Sequence, residues 1–378
     1  MIYLDNAATS FPKPFEVIKA VNDSFYFYPA NPGRSGHNLS QKTAEQVYKT
    51  REALNDFFNG YGSEFVSFFS NCTTALNVGI KGLLRAGDHV IISCLEHNSV
   101  ARPVHKLKEN GLIDYTVFNV GETVEETLEN FKKAFKSNTS LCVITAVSNV
   151  FGNILPIKEL SRIAHEKGAL VLADGAQGAG VIPIDMQGQG IDCLCVPGHK
   201  GLLGPMGTGA LLHKDLSFNT VLEGGTGTSS FDLSQPGVYP ERLESGTLNV
   251  PGICGLKKGI EIVEGIGVSN VFYKESQIGE EIFYGLKSIP NVILYRENYD
   301  KDSFAPVISF NIKGLHSEQV SRILNEREIY VRGGFHCSPL AHSFYGTKQV
   351  GAVRISPSFK TTKKDINNLL NVVKKIAI

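Results

Sequence analysis

From Phe65 onward, short apolar runs alternate with segments whose apolar residues recur at helical spacing. Residues 65–69, 89–93, 115–120, 141–146, 169–173, 191–196 and 209–212 read as strands. Residues 75–84, 100–109, 125–135 and 157–166 read as the helices between them. Such alternation predicts a mainly parallel sheet covered by helices on both faces. In sheets of this kind, ligands bind at the carboxyl ends of the strands.

Ahead of this region, residues 15–28 carry a helical pattern, and the turn-rich segment from Pro29 to His37 leads into an amphipathic helix over 39–58 with Ser40 as its N-cap. Beyond Pro251 the pattern changes. Helices are expected over 255–264, 270–286 and 317–326 and from Thr362, with strands over 292–294, 307–312, 329–332 and 349–356. The expected organisation is an α/β large domain over 15–250, preceded by an N-terminal arm over 1–14 and followed by a smaller α+β domain over 251–378.

Composition narrows the function classes. Lys+Arg and Asp+Glu both number 37, so the net charge is near zero, which argues against nucleic-acid or polybasic membrane partners. No run of 18 apolar residues occurs, and Asp5 follows Met1 too closely for a signal peptide. The seven cysteines are odd in number and irregularly spaced, which fits buried thiols in a reduced, cytoplasmic protein rather than a disulfide framework.

Chemistry concentrates where strands are expected to end. Cys195-Val196-Pro197-Gly198-His199-Lys200-Gly201 places a lysine after a core strand, and Asp174-Gly175-Ala176-Gln177 ends the preceding one. An amine that forms a Schiff base and a carboxylate that keeps a pyridine nitrogen protonated are what a pyridoxal phosphate enzyme requires. Ser70-Asn71-Cys72-Thr73-Thr74 opens a helix after a strand, where backbone N–H groups can bind an anion. In Arg332-Gly333-Gly334-Phe335-His336-Cys337-Ser338-Pro339 a glycine-flanked cysteine has His336 and Arg332 as cationic neighbours that would favour its thiolate.

From Tyr3-Leu4-Asp5-Asn6-Ala7-Ala8-Thr9 to Arg354, these motifs resemble the cysteine desulfurase and selenocysteine lyase family, in the class V aminotransferase branch of fold-type-I pyridoxal phosphate enzymes. The resemblance implies that Lys200 carries pyridoxal 5'-phosphate, Asp174 meets its pyridinium nitrogen and Gln177 its ring hydroxyl. It implies that Thr73, Thr74 and His199 hold the phosphate, that His97 lies on the ring face and shuttles protons with its near-neutral pKa, and that Asn149 sits beside the ring oxygen and the substrate. Arg354 would hold the substrate carboxylate through a bidentate guanidinium. Cys337 would be the nucleophile that takes up sulfur as a persulfide.

Arg34 and His37 fall in a loop that the family places near its active site. Thr247 matches a threonine that reaches a partner's phosphate, so a homodimer is implied, as is a sulfur-acceptor protein. No metal is implied. Two departures stand out: Pro197 replaces a Ser or Thr whose hydroxyl helps hold the phosphate, and Phe335 replaces a usual His.

The expected reaction is conversion of L-cysteine to L-alanine with sulfur passed to Cys337. L-Selenocysteine lyase, C–S lyase and class V aminotransferase activities remain alternatives within the same chemistry. A non-catalytic sulfur-binding scaffold is the alternative of another class.

Overall fold

The structure, a computed structural model, describes residues 1–33, 35–228 and 230–378. Strand β1 (Ile2–Tyr3) and helices α1 (Phe15–Phe27) and α2 (Asn38–Phe57) open the chain. Then come β2 (Val66–Phe69), α3 (Cys72–Leu83), β3 (His89–Ser93), α4 (Asn98–Glu109), β4 (Asp114–Phe118), α5 (Val124–Lys133) and β5 (Thr139–Thr145). They are followed by α6 (Ile157–Glu166), β6 (Leu170–Asp174), α7 (Met186–Gln189), β7 (Cys193–Pro197) and β8 (Gly209–His213).

These strands form a seven-stranded sheet in the order β2-β8-β7-β6-β5-β3-β4. The five strands from β7 to β4 run parallel, whereas β8 is antiparallel to both β7 and β2. The architecture is therefore the α/β class expected, with an antiparallel edge. Alternate residues feed two cores. Val90, Ile92, Leu141, Val143, Leu172, Cys193 and Cys195 pack on one face of the sheet. Ile91, Cys142, Ile144, Val171, Ala173, Leu194 and Val196 pack on the other. Because both faces are covered, the strands read as continuous apolar runs.

The remainder of the chain holds α8 (Val250–Ile266), α9 (Val268–Lys287), β9 (Val292–Leu294), β10 (Ile308–Ile312), α10 (Ser317–Asn325), β11 (Ile329–Tyr330), β12 (Arg332–Gly334), α11 (Pro339–Phe344), β13 (Ala352–Ile355) and α12 (Lys363–Ile376). The run over 329–332, expected as one strand, is two. Ile329 and Tyr330 pair in parallel with Ile2 and Tyr3, while β12 joins β13, β10 and β9 in a four-stranded antiparallel sheet. The N-terminal chain thus supplies the partner strand that splits the run. The helix expected over 39–58 begins at Asn38, and its N-cap is His37 rather than Ser40: His37 Nδ1 accepts the Ser40 N–H at 3.2 Å. Ser40 instead donates its hydroxyl to the Asn31 carbonyl at 2.7 Å.

Candidate active site

The carboxyl ends of β5, β6 and β7 lie side by side, and register places Asp174 between Thr145 and Cys195. A cleft opens there, and Thr73, His97, Asn149, Asp174, Gln177, His199 and Lys200 all line it. Thr74, Thr247, Cys337 and Arg354 lie outside that lining. The Thr74 hydroxyl turns back onto Asn71 Oδ1 at 3.1 Å. Thr247 is exposed.

Lys200 leaves β7 through a turn that only small residues permit. A Cβ on Gly198 would fall 2.1 Å from Thr208 Oγ1, and one on Gly201 would fall 2.3 Å from the Ala179 carbonyl oxygen. Both glycines let this turn press against the core. The N-terminal arm closes it from outside: the His199 carbonyl accepts from Thr9 Oγ1 at 3.0 Å, the Ser10 N–H at 3.1 Å and Lys13 Nζ at 2.6 Å. The half-buried Lys200 ammonium is desolvated, which lowers its pKa, and the Asp174 carboxylate offsets part of that.

Asp174 is 2 % exposed. Its carboxylate accepts the Ala176 N–H at 2.9 Å and has the Cys72 thiol at 3.8 Å. Desolvation raises its pKa, and the Ala176 N–H and the Lys200 charge offset only part of that. Gln177 is anchored by its amide, which donates to the Ala7 carbonyl at 2.9 Å. His199 Nδ1 is buried without a hydrogen-bond partner among the described residues, and burial, with Lys200 and Lys13 nearby, brings this imidazole down to about 4.

His97 is the N-cap of α4, and its Nδ1 accepts the Ser99 N–H at 3.1 Å. That bond places the neutral ring's proton on Nε2. Burial, then the charges of Lys200, Arg332 and Arg354, lower its pKa to about 4. The ring is therefore neutral across the physiological range and does not titrate near neutrality as a solvated histidine would. Ser99 Oγ lies 2.9 Å from His97 Nδ1 and 2.7 Å from Thr73 Oγ1, joining two candidate residues through a third. Glu96 is fully buried behind them. It accepts from Ser93 Oγ at 2.5 Å and the Thr145 N–H at 2.8 Å, and desolvation lifts it to about 8.

Arg354 is 1 % exposed, so it is no surface arginine at a strand end. Its Nη1 donates to the Asn149 carbonyl at 2.9 Å and its Nη2 to Asp5 Oδ1 at 2.6 Å, while Nε has no partner among the described residues. Six of the seven cysteines are buried, and Cys337 is exposed. The neighbouring His336 does not supply a cation. Its Nε2 donates to the Ala352 carbonyl at 2.9 Å, and burial lowers its pKa to about 2. His336 is thus not one of the two cationic neighbours expected for the thiolate. His37 is exposed and engaged in capping; Arg34 lies outside the described residues.

Asp5, Ser99, Glu96 and Ser338 escaped sequence reasoning as site residues. For Asp5 a signal existed, since an acid inside an apolar arm needs a partner.

Residues 2–369 match the Aminotransferase class-V family. A probable cysteine desulfurase from Methanothermobacter thermautotrophicus is 33 % identical over all of this chain and 94 % of its own length. A cysteine desulfurase from Escherichia coli is 30 % identical over all of this chain and 93 % of its own. The apo structure of a cysteine desulfurase from Thermococcus onnurineus superimposes with a TM-score of 0.91 at 30 % identity, covering 100 % of this chain and 94 % of that one. With a match that spans nearly its whole length, this chain belongs to the class V aminotransferase family, in its cysteine desulfurase branch.

Proposed function

We propose that this protein is a pyridoxal phosphate-dependent cysteine desulfurase that converts L-cysteine to L-alanine and takes up the sulfur on Cys337. The observation that carries the reading is the pairing of one exposed cysteine, in a loop docked on α4, with a cleft built around Lys200 and Asp174.

The cleft's own chemistry fits the cofactor. Asp174 is a buried carboxylate whose desolvation the Lys200 charge only partly offsets, an environment a pyridinium N–H would complete. His199 Nδ1 is an orphaned polar atom that a phosphate could engage. The backbone N–H groups at the helix start at Cys72 add donors beside Thr73. Pyridoxal phosphate, bound through Lys200, would supply an electron sink for bonds at the substrate's α-carbon.

In this reading Lys200, assisted by the neutral His97 that lines the same cleft, moves the proton at the substrate's α-carbon. Arg354 holds the substrate carboxylate through the free edge at Nε. The Cys337 thiolate attacks the substrate sulfur; an S–S bond forms as the C–S bond breaks, the electron pair stays with carbon, and a proton completes alanine. A second copy of the chain is the proposed partner. Phe25 and Tyr26 on α1, 63 % and 80 % exposed, and the fully exposed Phe231 and Leu233 support that partner, and Thr247 would reach its phosphate site.

Incubation with L-cysteine, with and without a reductant, tests the reaction type. Alanine and reductant-released sulfide in equal amounts support desulfuration. Pyruvate and ammonia would instead establish a C–S lyase, and amino transfer to a keto acid an aminotransferase.

A further inference from the structure

The three residues centred on the nucleophile are tied down at consecutive points. The Asn149 amide donates to the His336 carbonyl at 2.8 Å, and the Ser338 hydroxyl donates to Asn149 Oδ1 at 2.7 Å. Between them, the Cys337 carbonyl accepts the Asn98 N–H at 2.7 Å. Ser338 is fully buried and Asn149 is 8 % exposed, although Cys337 itself is exposed. His336 and Cys337 have φ of 49° and 57°, two consecutive residues in the left-handed region. Non-glycine residues keep that conformation only where surrounding contacts over-determine it, and here those contacts are the bonds to Asn149 and Asn98.

We propose that Ser338 is a positioning residue for sulfur transfer: through Asn149 it locks the Cys337 loop in its docked, left-handed conformation, so that the thiolate is held where the substrate sulfur arrives. The inference rests on the desulfurase reading above. Attack at sulfur requires near-contact geometry, and a loop that samples several conformations presents it only part of the time. Removing the Ser338 hydroxyl leaves Asn149 Oδ1 without its donor in a buried place, which disfavours the docked state. The Asn149 carbonyl also accepts from Arg354. One asparagine therefore links the nucleophile loop to the guanidinium assigned to the substrate carboxylate.

The test compares wild-type, Ser338→Ala, Asn149→Ala and double-variant holoenzymes. It uses hydrogen-exchange mass spectrometry of segment 332–345 and the rate of persulfide formation after mixing with L-cysteine. In Ser338→Ala the segment should exchange faster and persulfide should form roughly tenfold more slowly. KM and the absorption change on substrate binding should be unaltered, and the double variant should be no slower than the slower single one. Unchanged exchange, an unchanged persulfide rate or additive losses would overturn the proposal. So would a slow variant that had lost cofactor binding and Tm in parallel, because that marks a merely structural serine. If wild-type protein forms no persulfide, the desulfurase reading fails instead, and the exchange data alone decide whether the clamp holds the loop.

Discussion

Arg354 and Asp5, 349 positions apart in the chain, form an ion pair at 2.6 Å in which the guanidinium is 1 % exposed. The N-terminal arm thereby neutralises and orients the arginine proposed to meet the substrate carboxylate, while leaving its Nε edge unpaired. The same arm pairs with β11 and bonds the carbonyl of His199, next to Lys200. One short segment thus bonds both the residue before Lys200 and the arginine proposed to meet the substrate carboxylate.

Asp5→Ala should therefore act on stability and on substrate binding together. A buried guanidinium left unpaired costs about 3 kcal/mol, the low end for breaking a buried pair, since Asp5 keeps some exposure. Denaturant unfolding measures that loss. Steady-state assays should show a raised KM for L-cysteine, because the arginine loses the contact that aims it.

Asp174→Ala should remove the anion proposed to sit against the pyridinium nitrogen. Breaking a buried charge pair is worth about 3–5 kcal/mol, so kcat should fall by at least roughly 100-fold. Lys200 should still bind the cofactor covalently, which an absorption spectrum checks. A variant with wild-type kcat would remove Asp174 from the proposed site.

Glu96 makes stability depend on pH. Its folded pKa, about 8, lies above the ordinary value of 4.5. Between those values the folded state holds a proton that the unfolded state has released, so stability falls as pH rises and levels off above about 8. Glu96→Gln mimics the protonated acid, keeps an oxygen for Ser93 and Thr145, and should be the more stable protein at pH near 8. Denaturation midpoints near pH 5.5 and pH 8 measure the change, which is bounded by about 1.4 kcal/mol per pH unit for one proton. Glu275, also raised to about 8 by burial, leaves a residual slope in the variant.

Much of the central layer was legible because buried parallel strands announce themselves as apolar runs, and their ends carried Asp174 and Lys200. Strand direction was not legible, since apolar pattern is blind to polarity; β8 turned out antiparallel to both of its neighbours, β7 and β2. The split of the 329–332 run depends on pairing with Ile2 and Tyr3, a partnership over three hundred residues away that no local window contains. His336 illustrates a different limit. Its neighbours in sequence suggest a cation, but its charge state is set by burial and by the carbonyl of Ala352. Likewise Ser99 reads as an ordinary first-turn serine until α3 and α4 bring Thr73 within 2.7 Å of it.

The most direct test of the whole account is intact-protein mass spectrometry of the holoenzyme after L-cysteine, without reductant, for wild type and Cys337→Ala. The account predicts one added sulfur atom on the wild-type chain, located on Cys337 by peptide mapping and matched by one alanine released. It predicts none on the variant, whose cofactor absorption remains. Alanine production by Cys337→Ala at the wild-type rate, or sulfur found on another cysteine, would contradict it.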